Sequence, residues 1–181
     1  MNLPNKLTMM RVVLVPVFMI FAAASHYGTA DFHAAYMLIA GIIFAIASIT
    51  DFLDGYLARK NHLVTDFGKF MDPLADKMLV MAAMCYFVEC GQMPGWCLAI
   101  VLLREFAVSG MRLVAVEQGR VIAAAWSGKV KTASTMVCLC LMLVFQSNLL
   151  NVVCIAVIVA TTVYSGIEYF AKNLDVFKEA D

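Results

Sequence analysis

Residues 51–76, DFLDGYLARKNHLVTDFGKFMDPLAD, join the end of one apolar run to the start of the next. Acidic and small residues recur in this stretch at helical spacing. Asp51, Asp54, Gly55 and Ala58 stand at positions i, i+3, i+4 and i+7, so a helix places them on one face. The stretch therefore predicts a helix that carries carboxylates and small residues on the same face.

A second acidic pair follows a short polar connection. Asp72 and Asp76 stand at i and i+4, again on one helix face, and Gly68 lies one turn before them. Two helices joined by a short link are antiparallel neighbours, so the two acidic faces can meet. Carboxylates gathered at a membrane boundary are costly unless cations neutralise them. Oxygen-only ligands favour Mg²⁺ or Mn²⁺ over zinc, and four aspartates suffice for two ions, an arrangement typical of phosphoryl transfer.

The small and basic residues of the same stretch fit a phosphate ligand. At Gly55 and Gly68 the missing side chain lets a phosphate or nucleotide approach the helix closely. Arg59 lies one turn beyond Gly55, at a position suited to a bidentate phosphate contact. The structural alternative is a row of solvated aspartates near a helix end, and Asp66 fits that description. It does not explain why Gly and Ala, rather than Leu, accompany the other four.

Composition places these residues in a membrane protein. Of the 181 residues 63% are apolar and 14% are charged, which is too apolar for a soluble surface. Apolar runs of roughly membrane-spanning length recur along the chain and predict a compact all-α bundle of six transmembrane helices in a single domain, 1–181. The predicted segments are 8–25, 34–58, 69–89, 95–116, 124–146 and 149–171.

The basic residues alternate from one side of the predicted membrane to the other. Connections 26–33, 90–94 and 147–148 contain no Lys or Arg, whereas the chain ends and the other two connections are basic. By the positive-inside rule, both termini and the acidic stretch face the cytoplasm. Residues 2–11 carry an apolar stripe that is either an N-terminal interfacial helix or an extension of the first spanning helix. The six cysteines lie in or beside apolar runs and are expected to be free thiols.

The acidic stretch resembles the signature of the CDP-alcohol phosphotransferase family. Asp51-x-x-Asp54-Gly55-x-x-Ala58-Arg59, eight residues, Gly68-x-x-x-Asp72-x-x-x-Asp76 matches that signature without a departure. The resemblance covers essentially the whole chain, and it implies six transmembrane helices, a homodimer and an active site open to the cytoplasm, in a multi-pass protein of the cytoplasmic membrane.

Further features resemble family members whose acceptor is sn-glycerol 3-phosphate. They are Asn5-Lys6-Leu7-Thr8-x-x-Arg11, Arg104-Glu105-Phe106 and Gly128-Lys129-Val130-Lys131-Thr132. The reaction implied joins CDP-diacylglycerol to glycerol 3-phosphate, gives phosphatidylglycerophosphate and CMP, and needs Mg²⁺ or Mn²⁺. Membrane lipids are expected partners and nucleic acid is not.

The resemblance also implies roles for individual residues. Asp51, Asp54, Asp72 and Asp76 would bind metal, and Asp76 would also be the base that takes the proton of the attacking hydroxyl. The residues implied in contacts with the CDP group are Asn5, Thr8, Gly55, Arg59, Thr65 and Gly68.

Four basic residues are candidates for the phosphate of the acceptor, which is a dianion at neutral pH. Arg104 lies near the middle of the fourth segment, where a charge is rare, and Arg112 follows two turns later on nearly the same face. Lys129 and Lys131 enter the fifth segment from the same side. We expect Arg112 and Lys129 to hold the phosphate, with Arg104 and Lys131 in support. A structural ion pair with Glu105 is the alternative for Arg104.

Two other functions stay open from the sequence. The acidic signature serves the donor, so another alcohol of the same family, such as inositol phosphate, serine or phosphatidylglycerol, fits it equally. A cation transporter with an acidic site belongs to a different class. The chain shows no internal repeat, and its aspartates cluster at one face, which argues against a pore.

Overall fold

The computed structural model describes the backbone of residues 3–28, 33–60, 66–120, 122 and 125–174, and side chains at 8–28, 33–50, 74–75, 77–120, 122 and 125–174. Within these ranges the fold is all-helical, as the sequence predicts. The bounds lie within about three residues of the predicted segments, except that α1 begins at Leu3 rather than at residue 8. The helices are α1 (Leu3–Tyr27), α2 (His33–Lys60), α3 (Asp66–Glu89), α4 (Gly95–Glu117), α5 (Trp126–Val144) and α6 (Asn148–Lys172).

Among the described residues, four helices contain stretches long and apolar enough to cross a membrane. The stretches concerned are Thr8–Tyr27, His33–Thr50, Trp126–Val144 and Asn148–Lys172. Helix α4 is of similar length but carries Arg104, Glu105, Arg112 and Glu117, which make it more polar than a simple lipid-facing span. The protein is thus a multi-pass membrane protein by composition, while six crossings and the orientation of the termini stay predictions.

The outer surface of the bundle is apolar, in keeping with a lipid environment. Ile20, Leu103, Phe106 and Leu149 are each more than 60% exposed. A soluble monomer rarely exposes so many large apolar side chains around its surface. The interior is also apolar and is filled mainly by aromatic and sulfur-containing side chains, such as Phe18, whose ring centroid lies 5.9 Å from that of the Phe44 ring.

Helix α1 is continuous from Leu3 to Tyr27, with Pro16 inside it. This continuity is what the alternative of an extended first helix predicts, and it does not show a separate interfacial helix. Proline is tolerated in membrane helices because neighbouring groups satisfy the freed backbone carbonyl. The cysteines are free, as expected, and Cys97, Cys138 and Cys154 are buried.

Cross-helix hydrogen bonds hold the ends of α1 and α3 together. Ser25 Oγ lies 2.7 Å from Tyr86 Oη, and the Tyr27 hydroxyl donates to the Glu89 carboxylate. Because both helices finish at this end of the bundle, they run in the same direction. The starts of α1 and α3, and the end of α2 that leads into α3, therefore lie at the opposite end, where the acidic stretch falls.

Candidate functional site

The four signature aspartates lie in two consecutive helices. Asp51 and Asp54 belong to the last part of α2, and Asp72 and Asp76 belong to the first half of α3. The helical spacing inferred from the sequence is therefore present in the backbone of both helices. The side chains of these aspartates fall outside the described part of the structure, so their role as metal ligands stays a prediction.

Most of the predicted nucleotide contacts also lie outside the described side chains. Asn5, Gly55, Arg59 and Gly68 lie in α1, α2 and α3, for which only the backbone is described at these positions, and Thr65 lies outside the described residues altogether. Thr8 is the exception, and its side chain is buried.

Arg11 is a buried cation that the sequence analysis gave no role. It lies one turn after Thr8 in α1 and is fully buried, the largest such side chain among the described residues. A charged group is costly inside a membrane protein and usually faces the bundle interior or a polar cavity. The sequence signal that could have found it is the i, i+3 spacing with Thr8 in the part of α1 that lies at the same end of the bundle as the acidic stretch.

Glu105 is the centre of a buried group of charges that joins three helices. Its Oε1 accepts hydrogen bonds from Lys131 Nζ of α5 at 2.7 Å and from Arg104 Nη1 of α4 at 3.0 Å. Its Oε2 lies 3.6 Å from Lys77 Nζ of α3, which also donates to Ser109 Oγ at 2.7 Å. The sequence alternative that paired Arg104 with Glu105 is thus confirmed as a contact, but Lys131 and Lys77 share the same carboxylate.

These four charged side chains are called here the Glu105 cluster: Lys77, Arg104, Glu105 and Lys131. The side chains of Arg104, Glu105 and Lys131 are only 12%, 14% and 5% exposed, whereas that of Lys77 is 40% exposed. Among the described side chains, three cations share one carboxylate, which leaves two positive charges in excess. An excess of this kind inside a protein favours the binding of an anion.

Two glycines make room for the Arg104 side chain. A Cβ atom at Gly128 of α5 would lie 3.4 Å from Arg104 Nη2, and one at Gly166 of α6 would lie 3.4 Å from Arg104 Cγ. The Arg104 side chain therefore passes close to the backbone of both helices, with its guanidinium beside α5 and its aliphatic part beside α6. Its Nε is buried and has no hydrogen-bond partner among the described residues. A buried donor of this kind costs about 1–3 kcal/mol unless a ligand or water accepts from it.

Arg112 and Lys129, which the sequence placed at the centre of the acceptor site, have aromatic neighbours. Arg112 Nε donates to Tyr169 Oη at 3.0 Å, and its Cζ lies 5.4 Å from the centroid of that ring. Lys129 Nζ lies 5.9 Å from the centroid of the Trp126 ring. The structure thus brings Arg104 and Lys131 together, and it places Arg112 against α6 through Tyr169, a contact that the sequence analysis did not anticipate.

Comparison with known proteins defines the class to which this bundle belongs. The family model for CDP-alcohol phosphatidyltransferases matches residues 1–164, and the chain belongs to this family. The resemblance inferred from the acidic signature is confirmed.

The most informative relatives are bacterial. The CDP-diacylglycerol–glycerol-3-phosphate 3-phosphatidyltransferase of Bacillus subtilis is 42% identical over 99% of this chain and 99% of its own length. A probable phosphatidylglycerophosphate synthase of Mycobacterium tuberculosis is 40% identical over 96% of this chain and 82% of its own. A further CDP-diacylglycerol–glycerol-3-phosphate 3-phosphatidyltransferase, from Salmonella typhimurium, is 38% identical over 76% of this chain and 74% of its own length.

Proposed function

We propose that this protein transfers the phosphatidyl group of CDP-diacylglycerol to sn-glycerol 3-phosphate, giving phosphatidylglycerophosphate and CMP. The Glu105 cluster supports glycerol 3-phosphate as the acceptor, because it has an excess of two positive charges and a buried Nε donor on Arg104. A phosphate dianion matches that charge, and neutral alcohols such as free inositol do not. The names of the relatives point to the same pair of substrates.

The bond changes follow from the substrates. A hydroxyl of glycerol 3-phosphate attacks the phosphorus that bears the diacylglycerol, a new P–O bond forms, and the P–O–P bond to CMP breaks. Asp76 takes the proton of the attacking hydroxyl. Arg104 and Lys131 bind the acceptor phosphate, and Arg112, near the end of α4, and Lys129, near the start of α5, support them. Orientation of the acceptor lowers the entropic part of the barrier.

The donor set fits a divalent metal. CDP-alcohol phosphatidyltransferases generally depend on divalent metal. Asp51, Asp54, Asp72 and Asp76 supply only carboxylate oxygens from two successive helices, the ligand type that Mg²⁺ and Mn²⁺ prefer. When bound, such ions would offset negative charge on the diphosphate and on the leaving CMP. Asn5, Thr8, Gly55, Arg59, Thr65 and Gly68 would hold the CDP group beside them.

The proposal includes the arrangement in the membrane. Six crossings place both termini and the acidic ends of α2 and α3 on the cytoplasmic side, where glycerol 3-phosphate is available. The distribution of Lys and Arg along the chain supports this orientation. A homodimer of a single domain, 1–181, in the cytoplasmic membrane completes the proposal.

The test is CMP release by purified protein in detergent with CDP-diacylglycerol, Mg²⁺ and one alcohol at a time. We expect release with glycerol 3-phosphate and its loss in Asp76→Asn. Release only with a different alcohol would contradict the proposed acceptor but would still support phosphatidyl transfer from CDP-diacylglycerol. Folded protein that releases no CMP with any of the alcohols, and that carries cations across liposome membranes, would instead support a transporter.

A further inference from the structure

The position of Glu105 among three cations suggests more than an ion pair. Its carboxylate contacts Lys77 of α3, Arg104 of α4 and Lys131 of α5, so one side chain fixes cations from three helices. Both Arg104 and Lys131 donate to the same oxygen, Oε1. The two cations are therefore held next to each other, which like charges do not favour on their own.

Burial makes this arrangement depend on the carboxylate. Arg104 and Lys131 are largely removed from water, so their mutual repulsion is screened less than at a surface. A buried charge that loses its partner is strongly destabilised. Without Glu105 we expect the two side chains to separate, or to take other rotamers, until an anion binds.

We propose that Glu105 is a positioning residue for the acceptor, which holds Arg104 and Lys131 in the arrangement that receives its phosphate. The inference rests on the proposed function. A site assembled before the ligand arrives does not have to order its side chains during binding, and this improves affinity for the ligand. Glu105 itself does not touch the reacting atoms.

The charge count also gives Glu105 a part in selectivity. With the carboxylate, the Glu105 cluster has an excess of two positive charges, which a phosphate monoester dianion neutralises. Glu105 does not use all the donors of the cluster: Lys77 is partly exposed, and Arg104 Nε has no hydrogen-bond partner in the described part of the chain. The ligand class is therefore a phosphorylated alcohol.

A purely structural role would have a different signature. Glu105 also links α3, α4 and α5, so its loss is expected to lower stability whatever its role. A structural link alone would reduce the amount of active enzyme and leave both Michaelis constants unchanged. A positioning residue for the acceptor changes the KM for glycerol 3-phosphate and leaves that for CDP-diacylglycerol nearly constant.

The experiment compares wild type, Glu105→Gln, Glu105→Asp and the control Glu89→Gln. Glu89 accepts a hydrogen bond from Tyr27 at the end of α3, about three turns beyond Lys77 of the Glu105 cluster. We expect Glu105→Gln to raise the KM for glycerol 3-phosphate at least about tenfold, with the KM for CDP-diacylglycerol within about twofold. Glu105→Asp keeps the charge and is expected to recover part of the loss. Glu89→Gln is expected to match the wild-type KM values.

A second readout does not need turnover. Glycerol 3-phosphate added without CDP-diacylglycerol is expected to raise the melting temperature of wild type, and to raise that of Glu105→Gln less at the same concentration. If Glu105→Gln does not fold, the proposal is tested with Glu105→Asp through the KM for glycerol 3-phosphate and the rise in melting temperature with that ligand. An unchanged or lower KM for glycerol 3-phosphate, or an equal change in both constants, overturns the proposal.

The design separates this inference from the proposed function. If wild type releases no CMP with glycerol 3-phosphate, the proposed function fails before any variant is considered. The comparison is then repeated with the alcohol that wild type uses. If wild type uses another phosphorylated alcohol and its KM rises in Glu105→Gln, the positioning role is still supported. If wild type uses an alcohol without a phosphate, the positioning role is overturned.

Discussion

The ammonium of Lys131 lies 2.7 Å from the carboxylate of Glu105, and this contact joins α5 to α4 inside the bundle. Glu105 also has other cations around it, because Arg104 donates to the same oxygen and Lys77 lies beside the second oxygen. The two partners therefore differ in how many opposite charges they contact. Glu105 has three cations around it, whereas Lys131 has a single carboxylate among the described residues.

This asymmetry predicts that removal of Glu105 costs more stability than removal of Lys131. Glu105→Gln leaves buried cations without their counter-charge and is expected to lower the free energy of unfolding by about 3–5 kcal/mol. Lys131→Met leaves a carboxylate that Arg104 still satisfies, and about 1–3 kcal/mol is expected. Unfolding in detergent measures both, with Lys172→Met, which breaks an exposed pair, as a control without measurable effect. Equal losses from the two variants would contradict the asymmetry.

A second prediction concerns the space that Gly128 leaves for Arg104. Gly128→Val places a branched side chain where a Cβ alone would already lie 3.4 Å from Arg104 Nη2, so the guanidinium must move. We expect the KM for glycerol 3-phosphate to rise about tenfold or more, since small displacements of binding groups are costly. Gly110→Val is the matched control, because nothing lies within 4 Å of a Cβ there. Similar kinetics for the two variants would show that the Arg104 site tolerates the shift.

The helices could be predicted from the sequence because they follow from local patterns. Apolar runs bounded by polar or small residues predicted the position of each of the six helices, apart from the first turn of α1. The i, i+3, i+4 spacing of Asp51, Asp54 and Gly55 lies within α2, as predicted. Hydrophobic periodicity is a local property, and in a membrane it is reinforced by the need to satisfy backbone groups inside each helix.

The contacts of the Glu105 cluster could not be predicted from spacing. Lys77 and Lys131 are far from Glu105 along the chain, and only the packing of α3, α4 and α5 brings them to it. The same applies to Arg112, which lies on nearly the same face as Arg104 but reaches Tyr169 of α6. Helical periodicity gives the face of a residue, while its partner depends on which helix packs there.

The third prediction concerns the metal. Chelation with EDTA is expected to abolish CMP release and Mg²⁺ or Mn²⁺ to restore it, because four carboxylates at the acidic stretch need counter-charge and the diphosphate needs neutralisation. Asp72→Asn is expected to lower kcat at least about 100-fold, in line with the loss of a group that stabilises charge in the transition state. Asp66→Asn, outside the signature, is the control and should retain activity. Full activity in EDTA, or equal losses in the two variants, would argue against a metal site built on Asp72.

The fourth prediction tests the orientation in the membrane through Cys90, which lies in the turn between α3 and α4. The positive-inside rule places this turn outside the cytoplasm. With all other cysteines replaced by alanine, a membrane-impermeant maleimide added to intact cells should label Cys90. It should also label Gln146→Cys in the α5–α6 connection, whereas Glu117→Cys at the end of α4 should react only after lysis. The reverse pattern would invert the topology and place the acidic stretch away from the cytoplasm.

The pH dependence of the same labelling reports the surroundings of Cys90. Burial raises the pKa of the Cys90 thiol above its ordinary value, and the neighbouring Glu89 adds to the shift. Because the thiolate is the reactive form, a raised pKa means a smaller reactive fraction at neutral pH. Labelling of Cys90 should therefore be slower than that of the exposed Gln146→Cys thiol at neutral pH. Its rate should continue to rise with pH after the rate of the exposed thiol has levelled off, and identical profiles would show that the Cys90 thiol is open to water.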